Sequence, residues 1–180
     1  LELLSPISKF AEYLDQNKVN VLWLTKTLFD QLYLSCTSLF KGINYLLIGG
    51  EALNFNLVNE LSTSENTPKH LINGYGPTEN TTFSCTYEIM GTNILNLNSI
   101  PIGQPLNNRT AFILDSRQNL LPIGAVGELY VGGAGLARGY LNQPELTAEK
   151  FIVNPFQTKA EKQQNRNGRL YKTGDLARYM

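Results

Sequence analysis

The first third of the sequence alternates helical apolar stripes with short apolar runs, and this alternation restricts the fold more than any other feature. Ser5 and Pro6 are typical of a helix start. Residues 19–24 and 45–48 have the length of buried strands, and Thr25 is a suitable cap for a helix between them. Helices that alternate with buried strands predict parallel βαβ units with right-handed crossovers.

The pattern changes after Phe83 to short strands separated by turns that contain Asn, Pro and Gly. The strand candidates are residues 83–90, 110–115 and 126–131. A short helix is expected over residues 142–151 and a mobile polar loop over residues 157–168. We therefore predict an α/β chain in two parts. Residues 1–85 form a parallel βαβ sheet subdomain, and residues 86–180 form a smaller mixed or barrel-like β subdomain.

The segment 73–79 reads Asn-Gly-Tyr-Gly-Pro-Thr-Glu and follows the short apolar run 70–72, which is the third predicted strand. It carries several groups that suit a nucleotide. Asn73 can donate and accept in one plane, as an adenine edge requires, and Tyr75 offers a ring for stacking. Thr78 can donate to a phosphate oxygen, and Glu79 is a hard oxygen ligand for Mg²⁺. Taken alone, the segment fits a surface turn before a helix equally well.

A second loop supports the nucleotide interpretation, because the preceding strand also ends in small residues, Gly49 and Gly50. The carboxyl ends of neighbouring parallel strands meet at one edge of a sheet, where open α/β folds bind their ligands. Gly49, Gly50 and Gly74 would let a flat base approach the backbone there. Without the neighbouring loop, the glycine pair is more simply a tight turn.

Four segments in this order resemble the adenylation domains of nonribosomal peptide synthetases, in the superfamily that also contains acyl-CoA synthetases and luciferases. They are residues 46–51, 73–79, 127–140 and 169–175. The resemblance implies that an amino-acid carboxylate attacks the α-phosphate of ATP and that magnesium pyrophosphate leaves. The acyl group then passes to the phosphopantetheine thiol of a carrier protein. Carrier and condensation domains of the same assembly line are the implied partners.

The resemblance also assigns roles to individual residues. It implies that Thr78 and Glu79 are catalytic, with Glu79 as the Mg²⁺ ligand, and that Asp175 binds the ribose hydroxyls. The implied nucleotide-binding residues are Gly49, Gly50, Asn73, Gly74, Tyr75, Thr78 and Asp175. The implied substrate pocket consists of Trp23, Leu47, Gly49, Gly74, Thr82 and Phe83, a set similar to that of valine-activating domains. The pocket residues carry no charge, which suits a branched aliphatic side chain.

Other parts of the family pattern fall outside the sequence. The family's glycine-rich phosphate loop would precede Leu1, and its C-terminal lid and lysine would follow Met180, so the chain is expected to be an inactive fragment of a longer protein. An acyl- or aryl-CoA synthetase-type adenylating enzyme and a non-catalytic nucleotide-binding module remain as alternatives. The glycine-rich residues 132–139 do not satisfy the dinucleotide-binding pattern and are interpreted as structural.

Charge and cysteine content limit the partners and the compartment. With 15 basic and 15 acidic residues and no dense basic run, neither a nucleic acid nor an anionic membrane is the expected partner. No apolar run is long enough to cross a bilayer, and Leu1 opens no export signal. Cys36 and Cys85 show no metal-type spacing, which favours free thiols in the cytoplasm. His70, the single histidine, has no partner in the sequence, and no catalytic role is expected for it.

Overall fold

The computed structural model describes residues 7–91, 93–95 and 97–180, so the predicted helix start at Ser5 and Pro6 lies outside the described residues. The described chain groups into two compact units. Unit 1 contains the described residues up to Tyr75 together with those from Thr86 to Gly103, and unit 2 contains the rest. The predicted boundary between residues 85 and 86 stays a prediction.

Unit 1 is built from three helices and four strands. The helices are α1 (Ile7–Gln16), α2 (Lys26–Ser35) and α3 (Phe55–Thr63), and the strands are β1 (Val21–Thr25), β2 (Tyr45–Gly49), β3 (His70–Tyr75) and β4 (Cys85–Ile89). Cys85 itself is grouped with unit 2. Two helices begin at capping side chains. The Thr25 hydroxyl accepts from the backbone N–H of Leu28, and the Asn54 side chain accepts from the N–H groups of Asn56 and Leu57.

The strands of unit 1 lie in the order β1-β2-β3-β4, and β1, β2 and β3 are parallel. Because side chains alternate along a strand, one face of this sheet carries Leu24, Leu46, Ile48 and Leu71. These residues form one core with apolar side chains of all three helices, among them Leu14, Phe29 and Val58. The core therefore lies between the helices and one face of the sheet.

The opposite face of the sheet differs from the sequence prediction of buried strands. Val21, Trp23 and Tyr45 are all exposed there, whereas Leu24 is buried. An apolar run does not distinguish a strand buried on both faces from a strand buried on one. The same face also gives His70 partners that the sequence did not indicate. Its Nδ1 lies 2.6 Å from Glu88 Oε1, and its ring stacks on Tyr45.

The strands of unit 2 are β5 (Gln104–Pro105), β6 (Arg109–Leu114), β7 (Val126–Gly133), β8 (Phe151–Val153) and β9 (Arg169–Arg178), and its helices are α4 (Pro144–Lys150) and α5 (Lys159–Gln163). Four of these strands form an antiparallel sheet in the order β6-β7-β9-β8. One face of the sheet packs Leu114, Tyr130 and Leu170 together. The other face carries Val131, Tyr171 and Phe151 in register. With the parallel sheet of unit 1, this confirms the predicted fold class.

Helix α5 corrects the prediction of a mobile polar loop over residues 157–168. Thr158 and Glu161 form a capping box, in which the Thr158 hydroxyl accepts from the Glu161 N–H and the Glu161 carboxylate accepts from the Thr158 N–H. Asn154 adds a further anchor by donating to the Asn167 carbonyl at 2.8 Å. The polar composition of residues 157–168 favours a loop. In the structure, however, several polar side chains of this region form hydrogen bonds with nearby backbone N–H and carbonyl groups.

Candidate functional site

Four of the six predicted pocket residues lie on one face of the unit 1 sheet. Trp23 is in register with Leu47, and Gly49 is in register with Gly74. Leu47 and Gly49 are two residues apart on β2, so all four positions share a face. On this face Trp23 is 49% exposed, whereas Gly49 and Gly74 are buried. The remaining two predicted pocket residues, Thr82 and Phe83, belong to unit 2.

The predicted adenine-binding residues of unit 1 cluster at the carboxyl edge of β2 and β3. Gly49 and Gly74 are buried neighbours there, and Gly50 follows with a φ of +93°, a conformation that favours glycine. Asn73 occupies the opposite face of β3, where it is only 6% exposed, and its side-chain amide donates to the Pro101 carbonyl at 2.7 Å. One of its donors is therefore used within unit 1. Its proposed contact with adenine stays a prediction.

Unit 2 contains the second half of the predicted nucleotide segment, in a loop over residues 76–84 that closes on itself. Thr78, Glu79 and Asn80 form a short 3-10 turn, and Thr81 and Thr82 follow with positive φ values of 53° and 58°. Asn80 is completely buried and donates to Ser84 Oγ at 2.8 Å and to the Gly132 carbonyl at 3.3 Å. The loop is thus anchored both internally and to β7.

The backbone of the same loop is joined to the glycine-rich segment after β7. The Ala137 N–H donates to the Glu79 carbonyl at 2.7 Å, and the Thr81 hydroxyl donates to the Gly135 carbonyl at 2.7 Å. The glycine-rich segment, interpreted from the sequence as structural, therefore supports the position of Glu79. It brings Tyr140 to the same place, because the Tyr140 hydroxyl donates to Glu79 Oε1 at 2.6 Å.

The Glu79 carboxylate has a pKa below its ordinary value. Burial acts to raise this pKa, but the hydrogen bond from Tyr140, the Glu79 backbone and the neighbouring Tyr171 hydroxyl favour the charged form and prevail. Glu79 therefore carries a full negative charge at neutral pH. An ionised, half-buried carboxylate in a fixed loop is the kind of group that binds a divalent cation.

The described residues supply one carboxylate at this point and no cluster of three His, Cys, Asp or Glu side chains that would hold a metal without further ligands. This donor set fits Mg²⁺ that arrives with a nucleotide. Such an ion keeps several waters and is commonly bound by one or two carboxylates together with substrate phosphates.

Asp175 lies in a bulge of β9. Glu128 pairs with Leu176 and Tyr130 pairs with Lys172, so three residues of β9 lie opposite the single residue Leu129. Three hydrogen bonds fix the bulge: the Thr173 hydroxyl donates to the Leu129 carbonyl, the Gly174 N–H to Glu128 Oε1, and the Asp175 N–H to the Thr173 hydroxyl. The bulge places Asp175 as an exposed residue of β9.

Comparison with known proteins identifies the family. A family model described as AMP-binding enzyme matches residues 3–141. The chain belongs to this family. Tyrocidine synthase 3 of Brevibacillus parabrevis is 43% identical over 179 residues, which cover 99% of this chain and 3% of that protein. The predicted resemblance to nonribosomal peptide synthetases is thereby confirmed.

Solved structures agree with this assignment. The chain superposes on PA1221, a nonribosomal peptide synthetase protein with adenylation and carrier domains, with a TM-score of 0.85 and 32% identity, covering 96% of this chain and 33% of that one. It also matches AB3403, a four-domain synthetase bound to AMP and glycine, with a TM-score of 0.78 and 36% identity, covering 95% of this chain and 12% of that one. The chain thus spans a third or less of these proteins.

The sequence did not predict three side chains that contact site residues: Tyr140, Tyr171 and Glu128. Tyr140 and Tyr171 lie within segments 127–140 and 169–175, but nothing in those segments indicates a role for them. Their contacts are with residues far away in the chain, such as Tyr140 with Glu79. In the described part of the chain Cys36 and Cys85 are free thiols, and none of the helices has the length and apolar character that a membrane crossing needs.

Proposed function

We propose that this chain is the part of an adenylation domain that binds the adenosine of ATP and the side chain of an amino-acid substrate. The observation that carries the proposal is the ionised Glu79, held in a closed loop of a chain that belongs to the AMP-binding family. In the reaction a substrate carboxylate oxygen forms a bond to the α-phosphorus, and the bond from that phosphorus to pyrophosphate breaks. The products are an aminoacyl-adenylate and pyrophosphate.

Each residue has a defined task in this proposal. Asp175, exposed on its bulge, accepts hydrogen bonds from the two ribose hydroxyls. Thr78 donates to a phosphate oxygen, and Glu79 binds Mg²⁺ together with the nucleotide phosphates. Magnesium bound in this way would neutralise charge that builds up on the leaving pyrophosphate. Gly49, Gly50, Asn73, Gly74 and Tyr75 form the surface for adenine.

The acyl group is then transferred to a carrier protein. The phosphopantetheine thiolate attacks the acyl carbon of the adenylate, a thioester forms, and AMP leaves. A carrier domain and a condensation domain of the same synthetase are the proposed partners, and the cytoplasm is the proposed location. The names of the relatives support this step, since PA1221 combines adenylation and carrier domains in one protein.

The activity is tested by pyrophosphate–ATP exchange in the full-length protein that contains this chain. We expect exchange to depend on a small aliphatic amino acid. Fatty or aryl acids that supported exchange in place of amino acids would instead identify an acyl- or aryl-CoA synthetase-type enzyme. Nucleotide binding without any exchange would indicate a non-catalytic module.

The proposed substrate is valine. Trp23 and Leu47 supply apolar surface on one face of the sheet, and Gly49 and Gly74 carry no side chain on the same face. A pocket of this kind distinguishes side chains that differ by one methylene by only about 1–3 kcal/mol, so isoleucine should be a secondary substrate.

Substitution of Gly74 tests the pocket. Gly74→Leu adds a large side chain next to Gly49 on the same sheet face, so we expect exchange with valine to be lost and residual exchange to occur only with smaller amino acids. Gly74→Ala adds a single methyl group and should reduce exchange with valine less. Urea unfolding of both variants shows whether the fold is intact. Preference of the unmodified protein for a charged or aromatic amino acid would contradict the pocket assignment.

A further inference from the structure

Three side chains from separate parts of unit 2 form a chain of hydrogen bonds that ends on Glu79. The Tyr140 hydroxyl donates to Glu79 Oε1 at 2.6 Å, and the hydroxyl oxygens of Tyr140 and Tyr171 are 3.1 Å apart. A hydroxyl has one proton. Because the proton of Tyr140 is committed to the carboxylate, Tyr171 must be the donor between the two tyrosines. A donor–acceptor distance of 2.6 Å is in the range of charge-assisted O–H···O⁻ bonds.

The surroundings of Tyr140 fix its hydroxyl in place. The Tyr140 N–H donates to the Thr147 hydroxyl at 2.9 Å, and its ring packs edge-on against Phe151. Phe151 in turn packs against Tyr171, with ring centroids 5.1 Å apart. Both tyrosines therefore belong to one aromatic cluster on the sheet face that carries Phe151. A donor held by packing loses little entropy when it binds its acceptor.

The pKa shifts of the two tyrosines are consistent with donation from Tyr171 to Tyr140 and from Tyr140 to Glu79. Burial, and then the hydrogen bond to Glu79, raise the pKa of Tyr140, so its hydroxyl stays protonated as a donor. Burial, and then the bond to Tyr140, raise the pKa of Tyr171 as well. Successive hydrogen bonds polarise one another, so Tyr171 strengthens the bond that Tyr140 makes.

We propose that Tyr140, supported by Tyr171, is a positioning residue that holds the Glu79 carboxylate in a fixed orientation for binding the Mg²⁺ of bound ATP. This inference rests on the proposed function, since Glu79 is the proposed metal ligand. Tyr140 itself does not touch the metal or the substrate. It restricts one carboxylate oxygen, Oε1, and thereby the rotation of the whole group. Residues that orient a metal ligand commonly change metal affinity by about 10- to 100-fold when they are removed.

The test compares Tyr140→Phe with the unmodified full-length protein and uses Mn²⁺ as the probe. Binding of Mn²⁺ is followed by electron paramagnetic resonance in the presence of a non-hydrolysable ATP analogue. We expect the dissociation constant for Mn²⁺ to rise about tenfold or more in Tyr140→Phe, and less in Tyr171→Phe, which is one bond further away. The KM for the amino acid should stay unchanged.

Tyr33→Phe is the matched control. Tyr33 lies in α2 of unit 1 and is almost completely buried, and burial and then the charge of Glu60 raise the pKa of its hydroxyl. The change removes a buried tyrosine hydroxyl close to a glutamate, away from Glu79. We expect no change in Mn²⁺ affinity. An equal effect of Tyr33→Phe and Tyr140→Phe would overturn the positioning role.

Glu79→Gln distinguishes failure of this inference from failure of the proposed function. If Glu79→Gln weakens Mn²⁺ binding and Tyr140→Phe does not, the positioning role is wrong and the metal role of Glu79 stands. If Glu79→Gln also leaves Mn²⁺ binding unchanged, Glu79 is not the metal ligand, and the positioning role of Tyr140 is wrong as well. Should Tyr140→Phe fail to fold, Tyr171→Phe decides by the same measurement, since a normal Mn²⁺ affinity there contradicts the role of the hydroxyl chain.

Discussion

At the scale of single residues, the loop that carries Glu79 depends on the absence of a side chain at Gly76. A Cβ atom added there would lie 2.5 Å from Ser84 N and 2.6 Å from the Thr82 carbonyl oxygen. Both are backbone atoms of the same closed loop, so neither can turn away as the end of a flexible side chain can. The backbone of the loop would have to open instead.

Gly76→Ala is therefore expected to destabilise unit 2 by about 1–3 kcal/mol, the usual cost of forcing an extra carbon into a packed site. Urea unfolding of the 180-residue chain measures this loss. Gly168→Ala is the matched control, because its added Cβ would meet only Gln157 Nε2, at an ordinary 3.6 Å. Its effect should stay within about 0.5 kcal/mol. Equal losses in the two variants would show that the close contacts at Gly76 do not determine stability.

Single residues also mark the limit of prediction from the sequence. Glu79 could be selected because its neighbours Pro77 and Thr78 form a local pattern. Tyr140 could not, because its role depends on a hydroxyl that reaches a carboxylate 61 positions earlier in the chain. His70 shows the same limit, since Glu88 becomes its partner only when the sheet of unit 1 has formed.

At the scale of elements, local signals identified most helices and strands. The helix after Thr25 begins at the predicted cap, and α4 begins at Pro144. The missed element is α5, although Thr158 and Glu161 have the spacing of a capping box. The overall polarity of residues 157–168 favours a loop, whereas the positions of Thr158 and Glu161 favour a helix start. A helix of five residues has no apolar stripe that could have corrected the interpretation.

Strand pairing and packing decide features of the fold that local sequence signals do not. The apolar runs predicted strands β1 and β2, and their parallel order followed from the helix between them. Which face of those strands is buried follows from packing, because all three helices of unit 1 contribute to a core on one side of the sheet. The bulge at Asp175 is likewise a product of pairing between β7 and β9. The composition of segment 169–175 predicts a turn equally well.

At the scale of the whole molecule, two properties favour association: the unit 1 sheet has exposed apolar side chains on one face, and the chain has no net charge. Val21, Trp23 and Tyr45 are exposed apolar side chains of one face, next to the polar pair His70 and Glu88. The 15 basic and 15 acidic residues leave a formal net charge of zero at pH 7, so little electrostatic repulsion opposes contact between molecules. Contiguous apolar patches on such a surface favour association.

We therefore expect the isolated 180-residue chain to associate with a second copy of itself through this face as its concentration rises. Trp23→Lys removes the largest apolar side chain from the face and adds a charge, so it should reduce association. Light scattering coupled to size-exclusion chromatography measures the mass over a range of concentrations. Leu141→Lys is the matched control, because it adds the same charge at a residue of unit 2 that is 86% exposed. A monomeric unmodified chain, or equal effects of the two lysines, would show that the sheet face does not drive association.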